Sequence, residues 1–196
     1  MASKTDILNK ALTMVGATAV TSITDSSTNA LHCRHVYEVS RRSILAECKW
    51  NFATRRVNLS VSADTVAWNY SGEGVIYVRP ADVITIHETN VIGAKWRVEG
   101  DYILSDTTGL GILYTFDHDT PSSYPPLFVD AFTDLLAANI AYIIVNSGTL
   151  GERYLKKYQK ISLPKAMAVN SQQGEQVTIL DDAWENAKYF DGQIDA

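Results

Sequence analysis

Cysteine is scarce in this chain: two among 196 residues, Cys33 and Cys48. Both fall in one helical stretch, fifteen residues apart. At a rise of about 1.5 Å per residue they stand roughly 22 Å apart, which no disulfide spans. Two free thiols suit assembly in a reducing compartment such as cytoplasm. Histidine is also sparse. His32 and His35, with Cys33 between them, could face one metal on a helix, but the further ligands of a zinc site are missing. Neither a metal nor a cofactor is expected. Glycine-rich phosphate cradles are absent too, because Gly109–Leu110–Gly111 lies between strands and not before a helix. There is no nucleophile elbow. Asp117, His118 and Asp119 are a tempting acid–base trio. They lead into Thr120–Pro121, however, and read as a turn. No enzymatic activity is expected. An excess of positive charge is lacking, with a formal net charge of −5. That argues against a dedicated nucleic-acid binder. The chain also lacks a long uninterrupted apolar run. Leu127 to Val145 contains Asp130, Asp134 and Asn139 and reads as a buried helix, not a membrane span. Met1 to Lys10 has no apolar segment after a basic one, so no secretory signal is expected.

What is present is a succession of two textures. Ser3 with Asp6 has the look of a capping box. Ile7, Leu8, Ala11, Leu12 and Val15 come next at helical spacing until Gly16. A second helix starts near Asp25 to Ser27 and ends near Trp50. Ala30, Cys33, Tyr37, Ser40, Ile44 and Cys48 share its inner face, and Arg34, Glu38, Arg41, Arg42 and Lys49 its outer side. From Phe52 to Phe116 the pattern is that of short strands. Val57–Leu59–Val61 and, less cleanly, Val66–Trp68–Tyr70 alternate, and Val75–Val78, Val83–Ile86, Trp96–Val98, Tyr102–Leu104 and Ile112–Phe116 come after them. Gly72 and Gly74 mark a turn, and Gly100–Asp101 and Thr107–Gly111 read as hairpin turns. Pro125–Pro126 opens a third helix. Fifteen of its nineteen residues from Leu127 to Val145 are apolar, so it belongs in the middle of something. A fourth helix runs past Asn146–Ser147–Gly148 to Pro164, which should end or kink it. Ala166 to Gln173 can resume as helix.

This order predicts an α+β fold. A helical bundle of about four helices spans 1–51 and 124–173. A small antiparallel β subdomain, 52–123, is inserted into it. An extended acidic tail, 174–196, completes the chain, with six acids and one base, Lys188. Basic residues cluster as Arg34, Arg41, Arg42, Lys49, Arg55 and Arg56, and again as Arg153, Lys156, Lys157, Lys160 and Lys165. Such clusters are either solvated helix faces or surfaces for a partner or for passing DNA. Opposite-sign segments also allow one subunit's tail to lie on the next subunit's basic helix face. The segment Gln176–Leu180, which contains the short apolar run Val177–Leu180, could add to a neighbour as an extended segment. Val177, Ile179 and Trp184 are therefore candidate interface residues, alongside Arg34, Arg41, Arg42, Arg55, Arg56, Arg153, Lys156, Lys157 and Lys160. Ten tyrosines and four tryptophans exceed what a small sheet can bury, so some should face partners.

Several motifs, in order, resemble the tail tubular protein A family of short-tailed phages, the head-to-tail adaptor or gatekeeper ring. They begin with Ile7–Leu8–Asn9–Lys10–Ala11–Leu12, Val15–Gly16–Ala17 and Ile23–Thr24–Asp25. Next come Arg41–Arg42–Ser43–Ile44–Leu45 and Trp50–Asn51–Phe52–Ala53–Thr54–Arg55–Arg56. Then come Tyr77–Val78–Arg79–Pro80–Ala81–Asp82, Val98–Glu99–Gly100 and Leu104–Ser105–Asp106, and Tyr124–Pro125–Pro126–Leu127–Phe128 closes the series. The match covers Ile7 to Ala168 and leaves out the acidic tail. The resemblance implies a non-catalytic virion protein assembled as a twelve-subunit ring in the host cytoplasm. Its implied partners are other copies of itself, the portal, a nozzle of the tail tubular protein B type and tail fibres. Genomic DNA would pass nearby without specific recognition, and no membrane is involved. A head-completion connector of a long-tailed phage is the alternative in the same class.

Overall fold

The computed structural model describes residues 3–174 apart from 27, 69, 71 and 72. It is a mixed α+β fold whose helices flank two small antiparallel sheets. Helix α1 (Lys4–Met14) starts at the expected capping box, in which Ser3 and Asp6 satisfy each other's backbone N–H groups. Gly16, at φ +72°, turns the chain out of it in a conformation that favours glycine. Helix α2 (Thr28–Ala46) ends four residues earlier than its periodicity suggests. The chain then has to bend so that Trp50 can enter the core and donate its indole N–H to the carbonyl of Ile44 at 2.8 Å.

Helix α3 (Pro126–Ile143) is the axis of the helical part and packs against α1, α2, α4 and α5. By length and composition alone it could cross a membrane, yet most of it is buried inside this fold. Asn146, at φ +52°, reverses the chain, and the Ser147 side chain caps α4 (Gly148–Lys157). Pro164 does not end the helical run, which changes its winding just before it. A π turn over Tyr158–Ser162 leads straight into α5 (Leu163–Ser171). The proline has no N–H to donate, and its ring would strike the carbonyl of Lys160 in a regular α-helix. The wider π turn relieves both. The same turn brings the Ser162 hydroxyl to Asp134, a buried carboxylate on α3 that also takes Lys157 Nζ at 2.8 Å. A buried anion persists only when partnered in this way.

The strands are β1 (Thr54–Asn58), β2 (Val75–Val78), β3 (Val83–Thr89), β4 (Trp96–Glu99), β5 (Tyr102–Ser105) and β6 (Gly111–Phe116). They form two three-stranded sheets, ordered β1-β6-β3 and β2-β5-β4. Thr107–Gly111 is therefore not a hairpin turn. It carries the chain from one sheet to the other, and Tyr77 pins it by donating to the Thr107 carbonyl at 2.7 Å while accepting from the Leu110 N–H at 3.2 Å. Gly100, at φ +57°, does close the β4–β5 hairpin. Val66–Trp68–Tyr70 forms no strand, and Val61 makes only a single bridge to Tyr77. Gly72 lies outside the described residues. The sheets share an apolar core of Leu59, Tyr77, Val83, Ile103, Leu110, Ile112 and Tyr114.

A chain of aromatic rings joins the helical and β parts. Phe128 sits with its ring centroid 5.0 Å from Trp50, 4.7 Å from Phe52 and 5.1 Å from Tyr124. These edge-on contacts suit the aromatic quadrupoles. Phe128→Ala should cost about 3–5 kcal/mol of stability, measured as a shift in the urea midpoint. A loss below about 1 kcal/mol would show that the joint is loosely packed.

Candidate interaction surfaces

The first basic cluster of the sequence does not form one surface. Arg41, expected on the outer side of α2, has only 4% of its surface exposed. It donates to Glu38 at 2.8 Å, to the His118 carbonyl at 3.0 Å and to the Asp117 carboxylate. Asp119 lies 3.6 Å from its Nε and also pairs with Lys4 at 2.6 Å. The face prediction fails here because helical spacing puts a residue on a side of the helix but cannot foresee that β6 ends against that side. Burial opposes the charged guanidinium. Hydrogen bonds to Asp117 and Glu38 outweigh it and hold the group more firmly charged than an ordinary arginine. The Asp117–His118–Asp119 turn is thus engaged in linking β6 to α1 and α2.

The other residues of that cluster scatter. Arg34 donates to the carbonyls of Ile23 and Asp25 and secures the loop before α2. Arg42 is exposed and lies 3.3 Å from Asp117. Arg55 pairs with Asp82 at 2.8 Å and stacks on Phe116 at 4.0 Å. Arg56 points to the opposite face of β1, beside Leu113 and Glu88, and has no ion-pair partner among the described residues.

The second cluster holds together better. Arg153, Lys156, Lys157 and Lys160 are all exposed, and Lys157 reaches Asp134 with its Nζ. Lys156 lies 3.9 Å from Glu152, an exposed pair of small energetic weight. Val177, Ile179 and Trp184 lie outside the described residues. Of the remaining tryptophans, Trp50 is buried, while Trp68 is 66% exposed and stands edge-on to Tyr70 at 4.7 Å. Arg97 lies over the Tyr70 ring at 4.0 Å and pairs with Glu73. Sequence reading passed over Arg97, although arginine beside aromatics is the composition of interface anchors. Trp96 and Val98 are exposed on the edge strand β4, and Leu31 and Val39 on α2. Tyr142, Ile143 and Val145 form a further exposed apolar group around the end of α3.

His32, Cys33 and His35 do not converge on a common point. Cys33 is inside the core, both histidines are exposed, and no grouping able to hold a metal occurs among the described residues. His118 is packed among Phe52, Phe116 and Tyr124, with its Nε2 2.7 Å from the Ser123 hydroxyl. No protein-family model matches the chain, and no curated protein is significantly similar to it.

The environments of Arg41 and His118 can each be probed by substitution. Arg41→Met leaves Glu38, Asp117 and Asp119 without their shared cation and should cost about 3 kcal/mol. Arg42→Ala, at an exposed site, should cost less than about 1 kcal/mol. Urea unfolding decides, and equal losses would refute the role of Arg41 as the shared cation. Burial first, and then the charges of Arg41 and Arg55, push the His118 pKa below its ordinary value, against a smaller opposing effect of Asp119. His87 is shifted the same way by burial and by Lys49. The unfolded chain therefore binds protons more readily, and stability should fall as pH drops below about 6.5. His118→Phe should flatten that fall in thermal melts, and an unchanged pH profile would count against it.

Proposed function

We propose that this chain is a structural virion subunit, an adaptor ring that joins the portal to the tail nozzle of a short-tailed phage and lets DNA pass. The observation that carries the reading is an ordered set of motifs that resembles the tail tubular protein A family. Their positions are consistent with it. Ile7–Leu12 supplies the inner face of α1, Trp50–Arg56 the aromatic joint and β1, and Tyr124–Phe128 the entry to α3. The apolar groups left exposed on α2, at the end of α3 and on the second sheet also favour a subunit with several partners. Neighbours in such a ring meet through unlike patches, closed by rotation.

In this reading the helices of 1–51 and 124–173 act as one bundle domain, and 52–123 is an inserted β subdomain. The acidic stretch 174–196 follows them in the sequence. Arg153, Lys156 and Lys160 lie along a helix face suited to an acidic partner. Arg34 and Arg42 border the α2 face that carries Leu31 and Val39. The virion head–tail junction is the proposed location, after assembly in the host cytoplasm.

Electron microscopy of the purified protein, alone and mixed with a portal, tests the reading. Closed rings seated on the portal are expected. Single subunits that never associate with a portal, together with a turnover traced to side chains of the isolated chain, would overturn it.

A further inference from the structure

Trp68 leaves 66% of its surface in solvent, yet its surroundings are tied down. It lies edge-on to Tyr70, whose backbone N–H donates to the Glu73 carboxylate at 3.3 Å and whose carbonyl accepts from the Glu73 N–H at 3.0 Å. Arg97 on β4 covers the Tyr70 ring at 4.0 Å and pairs with Glu73. A side chain ordered before it meets a partner loses little conformational freedom on binding. Tryptophan, tyrosine and arginine are also the residues most enriched in interface hot spots.

The helical part carries a hollow of matching chemistry. It lies between the start of α3 and α5, has a volume of about 150 Å³, and is lined by Trp50, Pro125, Pro126, Phe128, Ala166 and Val169 among others. A dry apolar cavity of roughly that volume accepts one benzene-sized ring. Asn170 fixes α5 at the rim, because it accepts from the Asn51 backbone N–H at 2.9 Å and donates to the Lys49 carbonyl at 2.8 Å. Trp68 of the same chain is not seated there, since it remains exposed.

Charge decides which faces meet. The segments around the second sheet, 61–78 and 91–108, hold five acids and two bases. The run 148–171, through α4, the π turn and α5, holds one acid and five bases. Two copies of either face would repel, whereas sheet against helices attracts. We infer that the second sheet of one copy docks on the α3–α5 side of the next, with Trp68 seated in the hollow beside Trp50 and Phe128. Such a contact joins unlike faces, so successive copies follow one another in one direction and form a ring where the rotation closes. It names the subunit contact of the adaptor ring and rests on that reading.

Photocrosslinking tests this, with Trp68 replaced by p-benzoylphenylalanine in an equal mixture of ¹⁴N and ¹⁵N full-length protein, alone and with a portal. The products are mapped by mass spectrometry. Mixed-isotope products that join position 68 to Pro126, Leu127 or Val169 are expected. Trp68→Ala should weaken association of the unlabelled protein about thirtyfold in sedimentation, the loss typical of a truncated tryptophan anchor. Val169→Trp, which fills the hollow from an exposed position, should do likewise. Both variants should melt at the wild-type temperature as single subunits. Association of Trp68→Ala equal to the wild type, products within a single isotope, or mixed products that land elsewhere would overturn this contact and leave the ring standing. Wild-type copies that never associate, alone or on a portal, would overturn the reading beneath it as well.

Discussion

A guanidinium can be kept away from water only if nearly all its donors find acceptors, and that requirement at Arg41 orders much of this molecule. Glu38 comes from its own helix, one turn back. The other acceptors, Asp117 and the His118 carbonyl, come from the end of β6. Lys4 joins through Glu38 and Asp119, so the start of α1 belongs to the same network. Two helices and one sheet are thereby held in a single arrangement. Beside it, the rings of Trp50, Phe52, Tyr124 and Phe128 supply the dry packing, and His118 bridges the ionic and aromatic parts.

Asp134 on α3 poses the same problem with the sign reversed. Of its partners, Lys157 precedes the π turn and Ser162 ends it, and Pro164 makes that turn the relaxed conformation of the helix. A proline that would be a breaker in isolation becomes part of the support for a buried carboxylate. Such groups give less net stability than apolar replacements would, but they penalise every alternative packing in which they lose a partner. That suits a subunit whose surfaces must meet other molecules in one geometry.

The motifs on which the phage-adaptor proposal rests are mostly structural. Trp50–Asn51–Phe52–Ala53 marks the change from helix to strand because Trp50 and Ala53 are buried there and Asn51 locks to α5. Tyr124–Pro125–Pro126 sets the start of the central helix.

Local chemistry was legible in the sequence. The Ser3–Asp6 cap, the break at Asn146–Gly148, the apolar α3 and five of the six strands come from side-chain periodicity, capping groups and glycine or proline, all of which act within a few residues. The partition of the strands into two sheets was not legible, because Thr107–Gly111 has the composition of a hairpin turn and only the pairing of β6 with β1 and β3 reveals it as a crossover. The burial of Arg41 was equally out of reach. Two of its acceptors, Asp117 and the His118 carbonyl, lie 76 and 77 residues away, and no helical period reports on a distant loop. Elements are governed by short-range sterics and hydrogen bonding, which the sequence carries in full. Which charges end up inside depends on long-range contacts that exist only once the chain has folded.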